Sequence, residues 1–351
     1  MKKFITLILF LGFTLVGFSQ TTLIPNSNFE QALIDLGYDS GTINGSVPTA
    51  NISGITSLDV SNYNIADLTG IEDFTALTTL YCYSNQLTSL DVSTNTALTT
   101  LGCNSNQLTS LDVSYNTALT TLSCDSNQLT SLDMSTNTAL TTLQCYSNQL
   151  TSLDVSNNTA LKYLYCNSNQ LTSLDVSTNT ALIYLGCTSN QLTSLGVSTN
   201  TALTTLYCDS NQLTSLDVRN GNNTNFTTFD STNNPNLTCI FVDDASYSTT
   251  NWTGIDATTT FVNNEAACAG LSIEDNTFGL GVSVYPNPTD NYLFIEGNKN
   301  PIAISIHNLL GKKVMSAKNT NKIDVKELSS GVYIIRISDG IGQTNRKFIK
   351  K

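Results

Sequence analysis

The sequence predicts a mainly β protein. It should form a right-handed solenoid with short strands on both sides of each coil and an N-terminal helical cap, followed by a small C-terminal β-sandwich. Three observations carry this. Cys82, Cys103, Cys124, Cys145, Cys166, Cys187 and Cys208 recur every 21 residues, a period that belongs to stacked supersecondary units. Within each unit the apolar residues alternate, as in strands, and show no helical period. Charge is unevenly divided: residues 20–270 hold two basic and 20 acidic residues, a net of −18, whereas residues 271–351 hold 11 and seven, a net of +4. Two separately built parts follow from that shift.

Composition also excludes functions. The 351 residues include one His and carry a net charge of −12. One imidazole argues against His-based metal clusters and against Ser-His-Asp or Cys-His catalysis. No nucleic-acid partner is expected, because a phosphate backbone needs a basic footprint.

Residues 1–19 read as a signal peptide. Lys2 and Lys3 precede the apolar run Phe4–Val16, and Gly17-Phe18-Ser19 offers small residues for cleavage before Gln20. That run is too short for the ~20 residues a membrane span needs, so no transmembrane segment is expected in the mature chain. Residues 20–50 are expected to form the helical cap. Asn28–Gly37 should be an amphipathic helix with Ser27 or Asn28 as N-cap and Gly37 as stop.

Residues 51–238 are the expected solenoid. One unit runs from Leu98 to Ala118. Its strands should centre on Leu101/Cys103 and on Leu111/Val113, with Asn106 and Asn116 at corners where Asn tolerates left-handed backbone. The first coil differs slightly, since Leu58 and Leu80 are 22 residues apart. The pattern Leu98-x-x-Leu101-x-Cys103-x-x-Asn106-x-Leu108 resembles the leucine-rich repeat, specifically the bacterial internalin-like branch with a cysteine in the strand. The resemblance implies adhesion or recognition as a class and names no ligand.

The seven ladder thiols should stay reduced. Rungs lie ~4.8 Å apart, but parallel side chains do not converge to a bridge. A metal ladder is the sharper alternative, without a His or carboxylate on the same inward face. Cys239 and Cys268 lie off the register, within an expected C-terminal cap at residues 239–270. In an exported protein they are expected to form a disulfide; two unpaired thiols are the other reading. Residues 271–281 are an expected linker.

Residues 282–351 contain short β-like runs at Tyr292–Glu296, Ile302–His307, Lys322–Val325, Val332–Ile337 and Thr344–Ile349, which suggests a small sandwich. Tyr285-Pro286-Asn287-Pro288 opens this part, Asn308-Leu309-Leu310-Gly311 lies mid-way, Gly331-Val332-Tyr333 starts a late strand and Lys347-Phe348-Ile349-Lys350-Lys351 ends it. This order resembles the type A C-terminal sorting domain of the type IX secretion system. The resemblance implies Pro286, Asn287, Pro288, Gly331, Tyr333, Lys350 and Lys351 as sorting-motif residues and the type IX machinery as a partner. It also implies a product secreted or attached to the outer surface. Whether the domain is cleaved, and the passenger anchored or released, stays open. His307 reads as structural.

Two outward columns vary against the repeat. Seven of the 14 tyrosines flank the strand core, and Tyr146, Tyr163, Tyr165, Tyr184 and Tyr207 cluster in later coils. Tyr163 and Tyr184 share a column and could stack, while Tyr165 and Tyr207 flank a gap at Gly186. These five are the candidate ligand-binding residues for an extracellular protein or glycan. Cross-strand packing is the competing role. Asp91, Asp112, Asp133, Asp154, Asp175 and Asp217 form an acidic column on the second side, either a solvated stripe or a calcium site. No catalytic residue, cofactor or metal ligand is assigned, and the expected function is recognition, with a structural surface-layer module as the alternative.

Overall fold

The computed structural model describes residues 20–269, 283–296, 303–308, 311–338 and 343–351. The expected signal peptide, and the linker at 271–281, lie outside the described residues. Two compact units divide between Asn264 and Glu265.

The first unit is the leucine-rich-repeat solenoid. Nine three-residue strands form one parallel sheet: Ser57–Asp59, Thr79–Tyr81, Thr100–Gly102, Thr121–Ser123, Thr142–Gln144, Tyr163–Tyr165, Tyr184–Gly186, Thr205–Tyr207 and Thr228–Asp230. Register is strict, with Leu80 on Leu101, Leu101 on Leu122 and Leu122 on Leu143. A repeat of constant length makes this inevitable, since each side chain finds its own copy one rung away. Each central Leu and each ladder Cys is fully buried.

The second side is built differently along its length. Paired strands occur there at Ser194–Gly196, Ser215–Asp217, Cys239–Phe241 and Thr260–Val262. In the earlier described coils this side has no paired strand. Burial follows the pairing: Leu111, Leu132, Leu153 and Leu174 are 7–8% exposed, whereas Leu195 is 4% and Leu216 0% exposed. A shallow groove between two unpaired coils is lined by Ser152, Leu153, Asp154, Ser156, Ser173 and Asp175. Like charges directly opposite one another disfavour pairing, and pairing begins at the coil where Gly196 interrupts the Asp column. There the Val197 N–H reaches the Asp217 carbonyl at 3.0 Å.

Both Asn ladders form, but left-handed backbone falls elsewhere than at Asn106 and Asn116. Ser84, Ser105, Ser126, Ser147, Ser168, Ser189 and Ser210 carry φ of 53–55°. The Asn that follows each is buried and bonds the turn. Asn148 Oδ1 accepts from the Leu129 N–H at 2.9 Å, and its Nδ2 donates to the carbonyls of Cys124 and Cys145 at 3.1 and 3.2 Å. In the second ladder Asn158 Nδ2 donates to the carbonyls of Met134 and Asn137, and its Oδ1 has no partner.

The N-terminal cap includes the helix Ser27–Asp35, capped by Asn26 rather than by Ser27 or Asn28. Asn26 Oδ1 accepts from the N–H groups of Asn28 and Phe29. An antiparallel pair, Thr21–Leu23 with Ser46–Pro48, accompanies the helix. At the other end Gly254 bridges Asp230, and a Cβ there would meet the Phe229 carbonyl at 2.4 Å.

The second unit holds two antiparallel sheets. One contains Ser283–Tyr285, Tyr292–Glu296 and Lys322–Asp324; the other contains Lys313–Lys318, Ala303–Asn308, Gly331–Ser338 and Gln343–Lys350. Leu293, Ile295, Ile304, Ile306, Ile335 and Phe348 belong to their shared core. Lys313–Lys318 escapes sequence reading because it is a largely exposed edge strand with a lysine at each end, a composition that blunts edges. His307 is structural: its ring nitrogens bond the Gly311 carbonyl and the Ser305 hydroxyl.

Candidate functional site

The outward face of the nine-stranded sheet carries the candidate tyrosines. Tyr165 pairs in register with Gly186, and Gly186 with Tyr207. Gly186 does not leave an open gap, because the ring of Tyr184 lies over it. A Cβ on Gly186 would stand 3.1 Å from Tyr184 Cε1 and 3.3 Å from its hydroxyl. The Tyr184 ring centroid is 4.3 Å from that of Tyr165 and 6.0 Å from that of Tyr207. Burial, with Tyr165 and Tyr207 close by, holds the Tyr184 phenol above its ordinary range. The stack is therefore Tyr165–Tyr184–Tyr207, and among the described residues no ring contact joins Tyr163 to Tyr184. Tyr163 stands exposed on its own strand. Sequence alternation places these residues on one face, but the tilt of each ring is set by the missing side chain at Gly186.

Tyr146 is engaged differently. Burial, and then the neighbouring Asp125 carboxylate, hold its phenol above the ordinary range, and burial likewise raises Asp125. Asp125 is almost wholly buried and accepts from the Ser126 hydroxyl. Lys162 and Ile183 interrupt a column otherwise filled by Thr78, Thr99, Thr120, Thr141 and Thr204, whose hydroxyls donate to carbonyls one coil back. Two adjacent coils thus depart from the repeat at the same place.

On the second side each Asp serves a local turn. Asp112, Asp133 and Asp154 accept from the N–H two residues on, at 2.9 Å. Hydrogen bonds from that serine's hydroxyl and backbone hold these carboxyls below their ordinary value, against the raising effect of neighbouring Asp residues on Asp133. A lowered carboxyl value contributes stability above the unfolded value near 4 and loses it as pH falls further. The melting temperature should therefore decline below about pH 4, and less steeply in Asp133→Asn with Asp154→Asn; an unchanged profile would remove the stripe from the account.

Cys239 and Cys268 are disulfide-bonded, and the seven ladder thiols are free and buried. Burial pushes the ladder thiols up, Cys103 and Cys166 to about 12. Since the thiolate is the reactive form, native protein at pH 8 should resist alkylation. Unfolding without reductant should expose seven thiols, and unfolding with reductant nine. Three or more disulfides would overturn the parallel-stack account.

The residues expected to form the sorting motif lie on or against the last strand. Asn287 Nδ2 donates to the Lys347 carbonyl and its Oδ1 accepts from the Ile349 N–H. Pro286 and Pro288 flank it, exposed. Thr289 bonds the Ile349 carbonyl and accepts from the Lys351 N–H. Gly331 pairs with Lys350 and Tyr333 with Phe348. Tyr333 stacks on Phe348 and donates to the Ser329 carbonyl. These groups fasten the opening of the module to its final strand.

Fold and tail together define a leucine-rich-repeat solenoid followed by a C-terminal secretion-sorting tail, which indicates export to the cell surface or the medium. Residues 283–351 match the family described as the secretion system C-terminal sorting domain. Internalin J of Listeria monocytogenes serotype 4b (strain F2365) is 52% identical over 44 residues. That match covers 12% of this chain and 5% of internalin J, so the chain spans only a small part of that relative. Among solved structures, the functional domain of InlJ from Listeria monocytogenes, described as including a cysteine ladder, has a TM-score of 0.33 at 22% identity, covering 95% of this chain and 98% of that one. Internalin C2 of Listeria monocytogenes has a TM-score of 0.48 at 21% identity, covering 64% and 98%. A leucine-rich-repeat protein of Leptospira interrogans has 0.48 at 21%, covering 55% and 63%. No helix among the described residues is long and apolar enough to cross a membrane.

Proposed function

We propose that this protein is a non-enzymatic recognition or adhesion module that binds an extracellular protein or glycan through the Tyr-bearing face. The observation that carries the reading is the local departure from the repeat. Lys162-Tyr163 and Ile183-Tyr184, on adjacent coils, replace the Thr-Thr pair that stands at this place as Thr78-Thr79, Thr99-Thr100, Thr120-Thr121, Thr141-Thr142 and Thr204-Thr205. Tyrosine supplies apolar area and a hydroxyl at low entropic cost, which suits binding surfaces. The Asp stripe offers no general acid for work near neutral pH, which needs a raised carboxyl, because Asp112, Asp133 and Asp154 are lowered. The packing of Tyr184 between two rings favours the alternative, a structural surface-layer module.

Glycan-array and surface-protein pulldown experiments with the full chain test the reading. Tyr163→Ala with Tyr184→Ala should weaken a captured ligand at least about tenfold. The melting temperature should move by only a few degrees, because both rings lie outside the buried core. Retained affinity with a collapsed melting curve would hand the tyrosines to packing and favour the structural module.

A further inference from the structure

The second unit carries a basic face without counter-charges. Its four-stranded sheet, Lys313–Lys318, Ala303–Asn308, Gly331–Ser338 and Gln343–Lys350, holds six basic residues and no acidic one. The three-stranded sheet across the core holds Glu296 and Asp324 with one lysine, Lys322. Lysines on that side are already engaged. Lys322 Nζ stands 4.0 Å from the Tyr292 ring centroid. Lys326 Nζ donates to the Tyr292 hydroxyl at 3.0 Å and lies 4.0 Å from the Asp324 carboxylate.

Register assembles the face. Alternation turns Ile304, Ile306, Ile335, Ile337 and Phe348 into the core, and the residues between them point away. Lys313 pairs with His307, His307 with Ile334 and Ile334 with Lys347, so one row crosses all four strands. Arg336 stands two residues beyond Ile334, and Lys318 ends the outer strand. Lys313, Lys318, Arg336 and Lys347 are exposed and make no ion pair among the described residues. Lys313 and Lys347 are three strand spacings apart, about 14 Å. Arg336 spends one donor, Nε, on Asn345 at 3.3 Å, and a guanidinium has several more. Apolar side chains sit among these charges. Ile334 is half-buried in the middle of the row, and Ile349, 40% exposed, pairs with Val332 beside it.

Edge protection accounts for lysines on the two outer strands. It does not account for Arg336 on an inner strand, or for the absence of any acidic residue from the sheet. A cationic sheet face with exposed aliphatics matches an anionic bilayer surface. Its ammonium and guanidinium groups meet headgroup phosphates, and its aliphatic side chains enter the interfacial zone. An acidic protein surface satisfies the charges but leaves Ile334 and Ile349 against carboxylates. The net of −18 over residues 20–270 is repelled by an anionic surface, so the tail makes the contact. We propose that Lys313, Lys318, Arg336 and Lys347, with Ile334 and Ile349, form a face that docks the tail on an anionic phospholipid bilayer.

The test is vesicle co-sedimentation of the expected mature chain, residues 20–351, which lacks the apolar leader and its own affinity for lipid. Vesicles of phosphatidylcholine with about one-third phosphatidylglycerol should bind it at least about tenfold more tightly than phosphatidylcholine alone, and added salt should weaken the binding. Lys313→Gln with Lys347→Gln should cut binding at least about tenfold, since each basic residue near the surface is worth about fivefold. Both positions are exposed, so the melting curve should not move. Lys313→Arg with Lys347→Arg should retain binding. Lys322→Gln with Lys326→Gln removes the same charge from the other sheet and should weaken binding by no more than about threefold. No binding, equal binding to both vesicles, or equal losses from the two lysine pairs overturns the docking face; equal losses would mean that net charge alone is read. Competition by inorganic phosphate at constant ionic strength also overturns it, in favour of a single-anion site. If no vesicle binds but sedimentation velocity shows self-association that Lys313→Gln with Lys347→Gln abolishes, the face docks the acidic solenoid of a second copy and the membrane proposal falls.

Discussion

Replacing Trp252 by alanine should lower stability by about 3–5 kcal/mol, the range for removing a large buried aromatic. Trp252 is the chain's sole tryptophan and is 6% exposed. Its ring lies 5.1 Å from Phe226, 4.4 Å from Phe229 and 5.6 Å from Phe261, centroid to centroid. These rings fill the C-terminal end of the solenoid. A solenoid is held by nearest-neighbour contacts, and an uncapped terminal coil exposes a full cross-section of core to water. The indole N–H has no hydrogen-bond partner, so Trp252→Phe gives up area alone and should cost about 1–2 kcal/mol. Urea unfolding followed by circular dichroism measures both. A cost below about 1 kcal/mol for the alanine variant would mean that the end coil is already loose and the aromatic cluster does not cap.

Asn148→Ala should cost about 2–4 kcal/mol, and Asn158→Ala about 1–2 kcal/mol, although both are buried asparagines one ladder apart. The difference lies in what each leaves behind. Without Asn148 the Leu129 N–H loses its acceptor in a buried turn. Without Asn158 the Met134 carbonyl keeps the Asn137 N–H, and the Asn137 carbonyl keeps the Leu140 N–H. Asn158→Leu keeps the branched skeleton and removes the orphaned oxygen, but its bulkier methyls overpack the site, so it should cost about 1–3 kcal/mol even though the backbone partners remain satisfied. The same unfolding measurement separates the ladders. Equal costs would show that cavity size, rather than the stranded N–H, sets the loss.

The candidate site was partly legible in the sequence. Constant spacing put Tyr163, Tyr165, Tyr184 and Tyr207 on one face, because a fixed period fixes the column. The ring arrangement was not legible. Tyr163 and Tyr184 share a column on adjacent rungs, yet Tyr184 turns away over Gly186 toward Tyr165 and Tyr207. That choice depends on an absent side chain one strand position away and on room that only the folded sheet defines. The residues expected to form the sorting motif show the same division. Asn287 stands 62 residues from Ile349 in the chain, and only the folded module reveals that its amide holds the final strand.

By itself the sequence determined the repeat, the inward Leu and Cys columns, the two Asn ladders and the change of charge between solenoid and tail. Each of these follows from periodicity or composition, which act residue by residue. Tertiary structure alone decided which corner residue takes left-handed backbone. It fell to Ser105 and its counterparts, because Asn106 was needed with both ends of its amide bonded across coils, its Oδ1 to the Leu87 N–H and its Nδ2 to the Cys82 carbonyl. Tertiary structure also decided where the second side pairs. The Leu-Asp-Val pattern is nearly identical from coil to coil, so local propensity cannot separate Leu111 from Leu216. Stacking sets like charges against one another along the Asp column, and pairing starts only where Gly196 breaks it.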